Sequence, residues 1–216
     1  MDHGIECQKI TAFYRQADGS EWCVLKDIDG RFPAGRVALI SGPVGAGKST
    51  LLHILAGLQR PTSGEVIING QTVSRWIGAH RDRWRRQAGI VFQFHHLISD
   101  LTVFENVILP LIPYMASLSE CRRRVSETLR TLELNPLSEN HIHTLSGGER
   151  QKVAIARAMV NRPAFIFADE PTAHQDAESA ERVLRVLAGA LDWGAVVVLA
   201  SHDAGIERIV PDRDRY

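Results

Sequence analysis

The sequence predicts an α/β layered domain with an antiparallel β region at its start and a helical lobe inserted near its middle. Three observations predict it. Four short apolar runs rich in β-branched residues, at 37–40, 90–92, 165–168 and 195–200, read as buried parallel strands. Amphipathic patterns over 48–58, 147–160 and 178–191 separate them, and strands alternating with helices mark a layered α/β domain. From about 93 to 145 no strand pattern occurs, and a charged amphipathic helix near 119–132 stands in its place.

In chain order, residues 5–35 and 65–72 read as antiparallel strands, with turns at Asp18-Gly19, Pro33-Ala34-Gly35 and Asn69-Gly70. The helix over 178–191 places Val183, Leu184, Leu187 and Leu191 on one face, with charges opposite. The organisation that follows is a core of residues 1–92 and 146–216, which includes the antiparallel β part, interrupted by a helical lobe at 93–145. A length of 216 residues suits one such domain.

Composition narrows the partners. Twenty-five basic and twenty-five acidic side chains cancel, so no global field draws the chain to nucleic acid or anionic lipid. The basic clusters at 81–86 and 122–124 are local and read as solvated helix faces. Cys7, Cys23 and Cys121 form no CxxC pair, which suits a reducing compartment. The first ten residues carry no secretion signal, and no run of about 18 apolar residues exists to span a bilayer. These features predict a cytosolic protein.

Gly42, Pro43, Val44, Gly45, Ala46, Gly47, Lys48 and Ser49 fit G-x-x-x-x-G-K-[ST], with a strand before and a helix, beginning Lys48-Ser49-Thr50, after. Glycines let the backbone curl so that consecutive N–H groups face phosphate oxygens, and the helix adds its positive end. Lys48 supplies a charge for the β and γ phosphates, and the Ser49 hydroxyl can ligate Mg²⁺. At the end of the run 165–170, Asp169 and Glu170 set two carboxylates at a strand tip, costly unless a cation or a reaction uses them. Asp169 is placed to hold Mg²⁺ through its water shell and Glu170 to polarise the attacking water.

Ser146, Gly147, Gly148 and Glu149 open the helix over 150–160. S-x-x-E spacing is a capping box. Two glycines in a first turn cost helix stability, yet they leave bare N–H groups that an anion can approach.

Taken in order, the phosphate motif, Gln93, the Leu145–Glu149 segment, the acid-tipped strand and His202 resemble the ATPase subunits of ABC transporters across essentially the whole chain. The resemblance implies the P-loop NTPase fold of that family and ATP hydrolysis with Mg²⁺. It further implies a head-to-tail dimer in which each ATP lies between one subunit's phosphate loop and the other's Ser146-Gly147-Gly148 segment. Tyr14 falls where the family stacks an aromatic residue on adenine, with Trp22 a second candidate. Gln93 matches the glutamine that senses Mg²⁺ and attacking water, His202 the histidine that contacts the γ-phosphate, and Asp176 an aspartate that bridges the dimer. One departure is Gln175, where the family shows leucine before that aspartate. Relatives also continue through another strand and turn beyond the position of Tyr216.

His95 and His96 leave three readings open: metal ligands, core filler, or a surface read by a partner. Adjacent side chains point apart, which argues against ligation; His141 and His143 lack an obvious third ligand. In the family this stretch borders the groove that receives a helix of the membrane permease. The run from Gln93 to Thr102, with Glu105-Asn106-Val107-Ile108-Leu109-Pro110, is similar to the lipoprotein-releasing group of ABC ATPases. The resemblance thus implies a peripheral subunit at the cytoplasmic face of a bacterial inner membrane. Macrolide or peptide exporters and cell-division systems are the near alternatives. A soluble DNA-repair or translation ATPase is a different class, and this chain has no room for the insertions or second cassette that those carry. A binding module that has lost catalysis is opposed by the presence of Lys48, Asp169, Glu170 and His202.

Overall fold

Two four-stranded sheets carry the chain, a computed structural model that describes residues 4–15, 17–74, 78–113, 117–173, 175–203 and 206. In order the elements are β1 (Gly4–Arg15), β2 (Glu21–Pro33), β3 (Val37–Ser41), α1 (Lys48–Leu55), β4 (Ser63–Ile68), β5 (Gln71–Thr72), α2 (Ala79–Arg85), β6 (Ala88–Val91), α3 (Val103–Ile108), α4 (Leu118–Thr131), α5 (Gly147–Met159), β7 (Phe165–Asp169), α6 (Ala177–Ala188) and β8 (Val196–Ser201). The expected parallel strands are present, each displaced by no more than two residues at an end, and they run in the order β3-β8-β7-β6. The second sheet, β2-β1-β4-β5, is antiparallel throughout.

The period of two along the parallel strands decides what packs where. Leu39, Val91, Ile166, Ala168, Val197 and Leu199 share one face and join a core with Val153, Ile155 and Ala156 of α5 and Val183, Leu184 and Leu187 of α6. The alternate residues Ala38, Ile40, Phe165, Phe167, Val198 and Ala200 meet Leu51, Leu52 and Leu55 of α1 and the inner side chains of the antiparallel sheet, Ile5, Ile10, Phe32 and Val66 among them. The parallel sheet is therefore covered on both faces, which explains why its strands read as continuous apolar runs. Asp169 extends the Phe165–Phe167 series, so it emerges on the α1 side, where Ser49 lies.

Helix ends differ from the sequence expectation in two places. α1 stops at Leu55 rather than 58, because Gly57 takes φ 69° and its N–H returns to Ile54 O while Leu58 N–H returns to His53 O. A side chain there would strike Trp84, 2.8 Å from its Cδ1. α6 passes at Gly189 into a 3₁₀ turn over Gly189–Trp193.

No strand lies between 93 and 145 among the described residues; a lone bridge pairs Thr102 with His141. α3 was hidden by its shortness, though Thr102 and Glu105 form a complete capping box at its start. Buried Asn106 binds the preceding loop to α3, accepting from Ile98 N at 2.9 Å and donating to the Ile98 and Thr102 carbonyls, both at 3.0 Å. On α4, Arg123 pairs with Glu120 and Glu127, and Arg124 with Glu120, so the basic cluster at 122–124 is largely neutralised by its own helix. No helix among the described residues is long and apolar enough to cross a membrane.

Candidate active site

The phosphate motif forms a loop from the end of β3 to the start of α1. Gly47 is the N-cap of α1 at φ 87°, and a Cβ on it would sit 2.8 Å from Leu25 Cδ2 and 3.0 Å from Val24 O. Both backbone angle and space demand glycine here. Lys48 is buried, and its ammonium folds back over the loop to donate to Gly42 O at 2.9 Å and Pro43 O at 3.0 Å. Around it Pro43, Val44, Gly45 and Ala46 are exposed, so the loop is open to solvent.

The two strand-tip carboxylates are buried and separately engaged. Asp169, 4 % exposed, accepts from Ser49 Oγ at 3.0 Å through Oδ1. Its Oδ2 faces His53 Nε2 across 4.0 Å, too far for a hydrogen bond. Burial pushes the Asp169 carboxyl above its usual range, against the pull of the Ser49 hydroxyl and of His53 and Lys48. A buried carboxylate with one free oxygen beside a serine hydroxyl is a set of hard oxygen donors, the type Mg²⁺ takes. Glu170 sits at φ 46°, its N–H donating to Ala200 O, and its side chain crosses to the end of β8. There Oε2 accepts from Ser201 Oγ at 2.9 Å, and Oε1 accepts from His202 N at 3.2 Å and lies 2.6 Å from His202 Nδ1.

The structure thus brings Lys48, Ser49, Asp169, Glu170 and His202 together at the ends of β3, β7 and β8. Tyr14 stands at the end of β1 with its hydroxyl 3.4 Å from Thr50 Oγ1, within reach of the same helix. Trp22 lies directly across the ladder from Tyr14 and is more exposed, at 54 % against 41 %. Gln93 is exposed, two residues beyond β6.

Ser146 and Glu149 lie apart from this group, in a self-contained cap. Ser146 Oγ accepts from Glu149 N at 3.3 Å, and Glu149 Oε2 accepts from Ser146 N and Ser146 Oγ, each at 2.7 Å. Those hydrogen bonds hold the Glu149 carboxyl below its usual range. A Cβ on Gly147 or Gly148 would meet nothing within 4 Å. Among the described residues, no close neighbour requires glycine at either place.

The turn after Gln93 is unusual. His95 and His96 take φ 37° and 47°, and their carbonyls are clamped by one guanidinium, Arg157 donating to each at 2.7 Å. The half-buried His95 shares a hydrogen bond with Gln151, and burial holds its ring below the usual histidine range. His96 is exposed, its ring edge-on to Phe92 at 4.8 Å. No group of three metal-ligating side chains occurs among the described residues; His141 and His143 simply stack at 5.6 Å. Asp176 caps α6 by accepting from Ser179 N at 2.9 Å, and beside it Gln175 is half-buried. His174 and residues 207–216, which include Tyr216, lie outside the described residues.

Sequence reasoning missed Ser201 and Arg157. Ser201 signals itself only by preceding His202 on a fully buried strand. Arg157 carried a plainer sign, a lone cation within the buried run 153–158.

Comparison with known proteins agrees with this geometry. Residues 25–173 match the ABC transporter family. The chain is 37 % identical over 201 residues to the lipoprotein-releasing system ATP-binding protein LolD of Idiomarina loihiensis, covering 92 % of this chain and 88 % of that one. It is 42 % identical over 172 residues to the cell division ATP-binding protein FtsE of Escherichia coli, covering 80 % and 78 %. The dimeric, post-hydrolysis structure of the ATP-binding cassette MJ0796 bound to ADP and Pi superposes with a TM-score of 0.88 at 35 % identity, over 95 % of this chain and 91 % of that one.

Proposed function

The chain belongs to the ABC transporter family, and we propose that within it the chain powers a permease that releases lipoproteins from the inner membrane. It is an ATP-binding subunit and hydrolyses ATP. Supporting the narrower reading are the identity to LolD over nearly the whole chain and the character of the 93–102 segment. The similarity to FtsE favours a second reading, a cell-division system.

In this reading residues 42–50 cradle the phosphates, with Lys48 swinging from the Gly42 and Pro43 carbonyls to the β and γ phosphates. Ser49, Asp169 and Gln93 would hold Mg²⁺, which supplies charge neutralisation between the phosphates when bound. Glu170 takes the proton of the attacking water, and His202, more than half exposed, is free to leave Glu170 for the γ-phosphate. Tyr14 stacks on adenine. Ser146, Gly147, Gly148 and Glu149 serve the ATP of a second copy, arranged head to tail. The observation that carries this is the Glu170–His202–Ser201 cluster beside the Ser49–Asp169 pair: a buried base and a buried cation site, one residue apart in sequence.

The lobe at 93–145 is the permease-facing part, and 1–92 with 146–216 the nucleotide-binding core, on the cytoplasmic side of the membrane. Phe94, 77 % exposed, and Ile98 and Ile112 offer apolar anchors around the clamped turn. A groove of about 510 Å³ beside them is lined by Arg85, Phe92, His96, Pro110 and Arg157, among others. No nucleic acid partner enters this reading.

Glu170→Gln should bind ATP, fail to turn it over and accumulate as a dimer; a mutant that stays monomeric with saturating ATP contradicts the paired-site reading. Replacing His95 and His96 together with Ala should spare ATP binding and weaken permease association, since truncating a central anchor commonly costs about 2 kcal/mol or more. Whether the permease that co-purifies acts on lipoproteins or on cell-division hydrolases then separates the two readings.

A further inference from the structure

Tyr14 is fixed at both ends. Its backbone pairs with Trp22 in the β1–β2 ladder, and its hydroxyl donates to Gln59 Oε1 at 2.8 Å while lying 3.4 Å from Thr50 Oγ1. An amide oxygen can only accept, so the phenolic proton points at Gln59 and the phenolic oxygen is left to accept from Thr50. Gln59 is in turn placed by the turn that closes α1, where its N–H donates to His53 O at 3.2 Å. Thr50 lies in the first turn of α1, next to Ser49. The tip of a ring from the antiparallel sheet is therefore held between the first turn of the helix that begins at the phosphate loop and the turn that follows that helix.

Fold stability gives little reason for such a tie. The ring is 41 % exposed, and a hydrogen bond reachable by water contributes little to folding. Its consequence is geometric: with the hydroxyl held, the ring plane keeps a set distance and angle to the loop. A free exposed ring must surrender side-chain freedom when a planar ligand stacks on it, whereas a tethered ring has already done so.

We infer that Gln59 is a positioning residue for the nucleotide base, holding Tyr14 at a fixed span from the phosphate loop so that base and phosphates meet one pre-organised surface. The inference rests on the reading of Tyr14 as the adenine platform. It assigns Gln59 a contribution that depends on the base and not on the phosphates. From the usual net value of one hydrogen bond, loss of the tether weakens binding of an adenine nucleotide about two- to tenfold.

Equilibrium binding of ADP and of inorganic pyrophosphate to the isolated chain tests this, because the two share phosphates and differ in the base. Gln59→Leu and Tyr14→Phe should each weaken ADP about two- to tenfold, and the double variant should lose no more than either alone. Gln59→Glu, which keeps the acceptor, should restore ADP affinity. Pyrophosphate should bind all of them alike. Equal losses for ADP and pyrophosphate, or additive losses in the double variant, overturn the inference. Tyr14→Ala separates the two layers. If it weakens ADP while Gln59→Leu and Tyr14→Phe bind like the parent, the platform stands and the tether is overturned. If Tyr14→Ala itself binds ADP normally, the platform reading fails and the tether with it. Tighter ADP binding by Tyr14→Phe would mean that Gln59 holds the ring away from the base, which also overturns the inference.

Discussion

Two helix starts in this molecule suit phosphate, and they are built in opposite ways. At α1 the glycine is demanded from within: Gly47 has a left-handed backbone and no room for a Cβ, and Lys48 is buried against the loop carbonyls. At α5 the serine and glutamate satisfy each other in a closed cap, and the two glycines that follow have open space around them. One start is explained by its own chain. The other is explained as a cap, but nothing among the described residues crowds its two glycines, which leaves the face they expose open to an approach from outside. A second copy of the same chain is the approach we propose.

The contrast can be broken first at its strongest point. Lys48→Ala should remove the main positive charge from the phosphate site, at a cost to the transition state of about 3 kcal/mol, or at least a hundredfold in steady-state ATPase. Near-normal turnover would show that the α1 start does not bind the reacting phosphates. Next comes Gly47→Val, which forces a β-branched residue into φ 87° and against Leu25 and Val24. Strain of this kind costs about 1–3 kcal/mol, and denaturant unfolding should register it as a lower midpoint. Gly148→Ala is expected to go the other way. With helical backbone and empty surroundings, alanine should raise stability by about 0.4–1 kcal/mol. A loss of stability there would mean that the chain itself needs the glycine.

The smallest effect lies in the helical lobe. Hydrogen bonds from Arg123 and Arg124 lower the Glu120 carboxyl to about 2. A folded value below the unfolded one stabilises above the unfolded value, about 4.3, and that contribution fades as pH falls toward 2. The pair is solvent-exposed, so the contribution is small. The difference in melting temperature between parent and Glu120→Gln should narrow from pH 6 to pH 2.5, and a constant gap would assign the difference to something other than charge.

How far the sequence reached follows the same division between local and long-range causes. The parallel strands were legible because both of their faces are buried, so their apolar runs are unbroken. Both glycine-rich helix starts were legible for the same kind of reason, since caps and tight loops are short-range chemistry. The ends of α1 and α6 were not: α1 is closed by the left-handed Gly57, and α6 tightens at Gly189 into a 3₁₀ turn that keeps its apolar period. The state of His95 and His96 was out of reach altogether. Their left-handed backbone is held by Arg157, more than sixty residues away, and no local rule connects a histidine pair to that guanidinium. Likewise Ser201 and Gln59 hold Glu170 and Tyr14 through contacts between segments 31 and 45 residues apart, which exist only once the chain has folded.

Mass in solution of a Glu170→Gln, Gly148→Leu double variant, with and without ATP, tests the central contrast most directly. A Cβ at 148 meets nothing within 4 Å beyond its own helix turn among the described residues, so folding and ATP binding by the single chain should persist with leucine there. It would fill the space that a partner's phosphate must enter, so the ATP-dependent dimer formed by Glu170→Gln alone should disappear. A double variant that still dimerises fully with ATP would contradict the reading of the α5 start as half of a shared site.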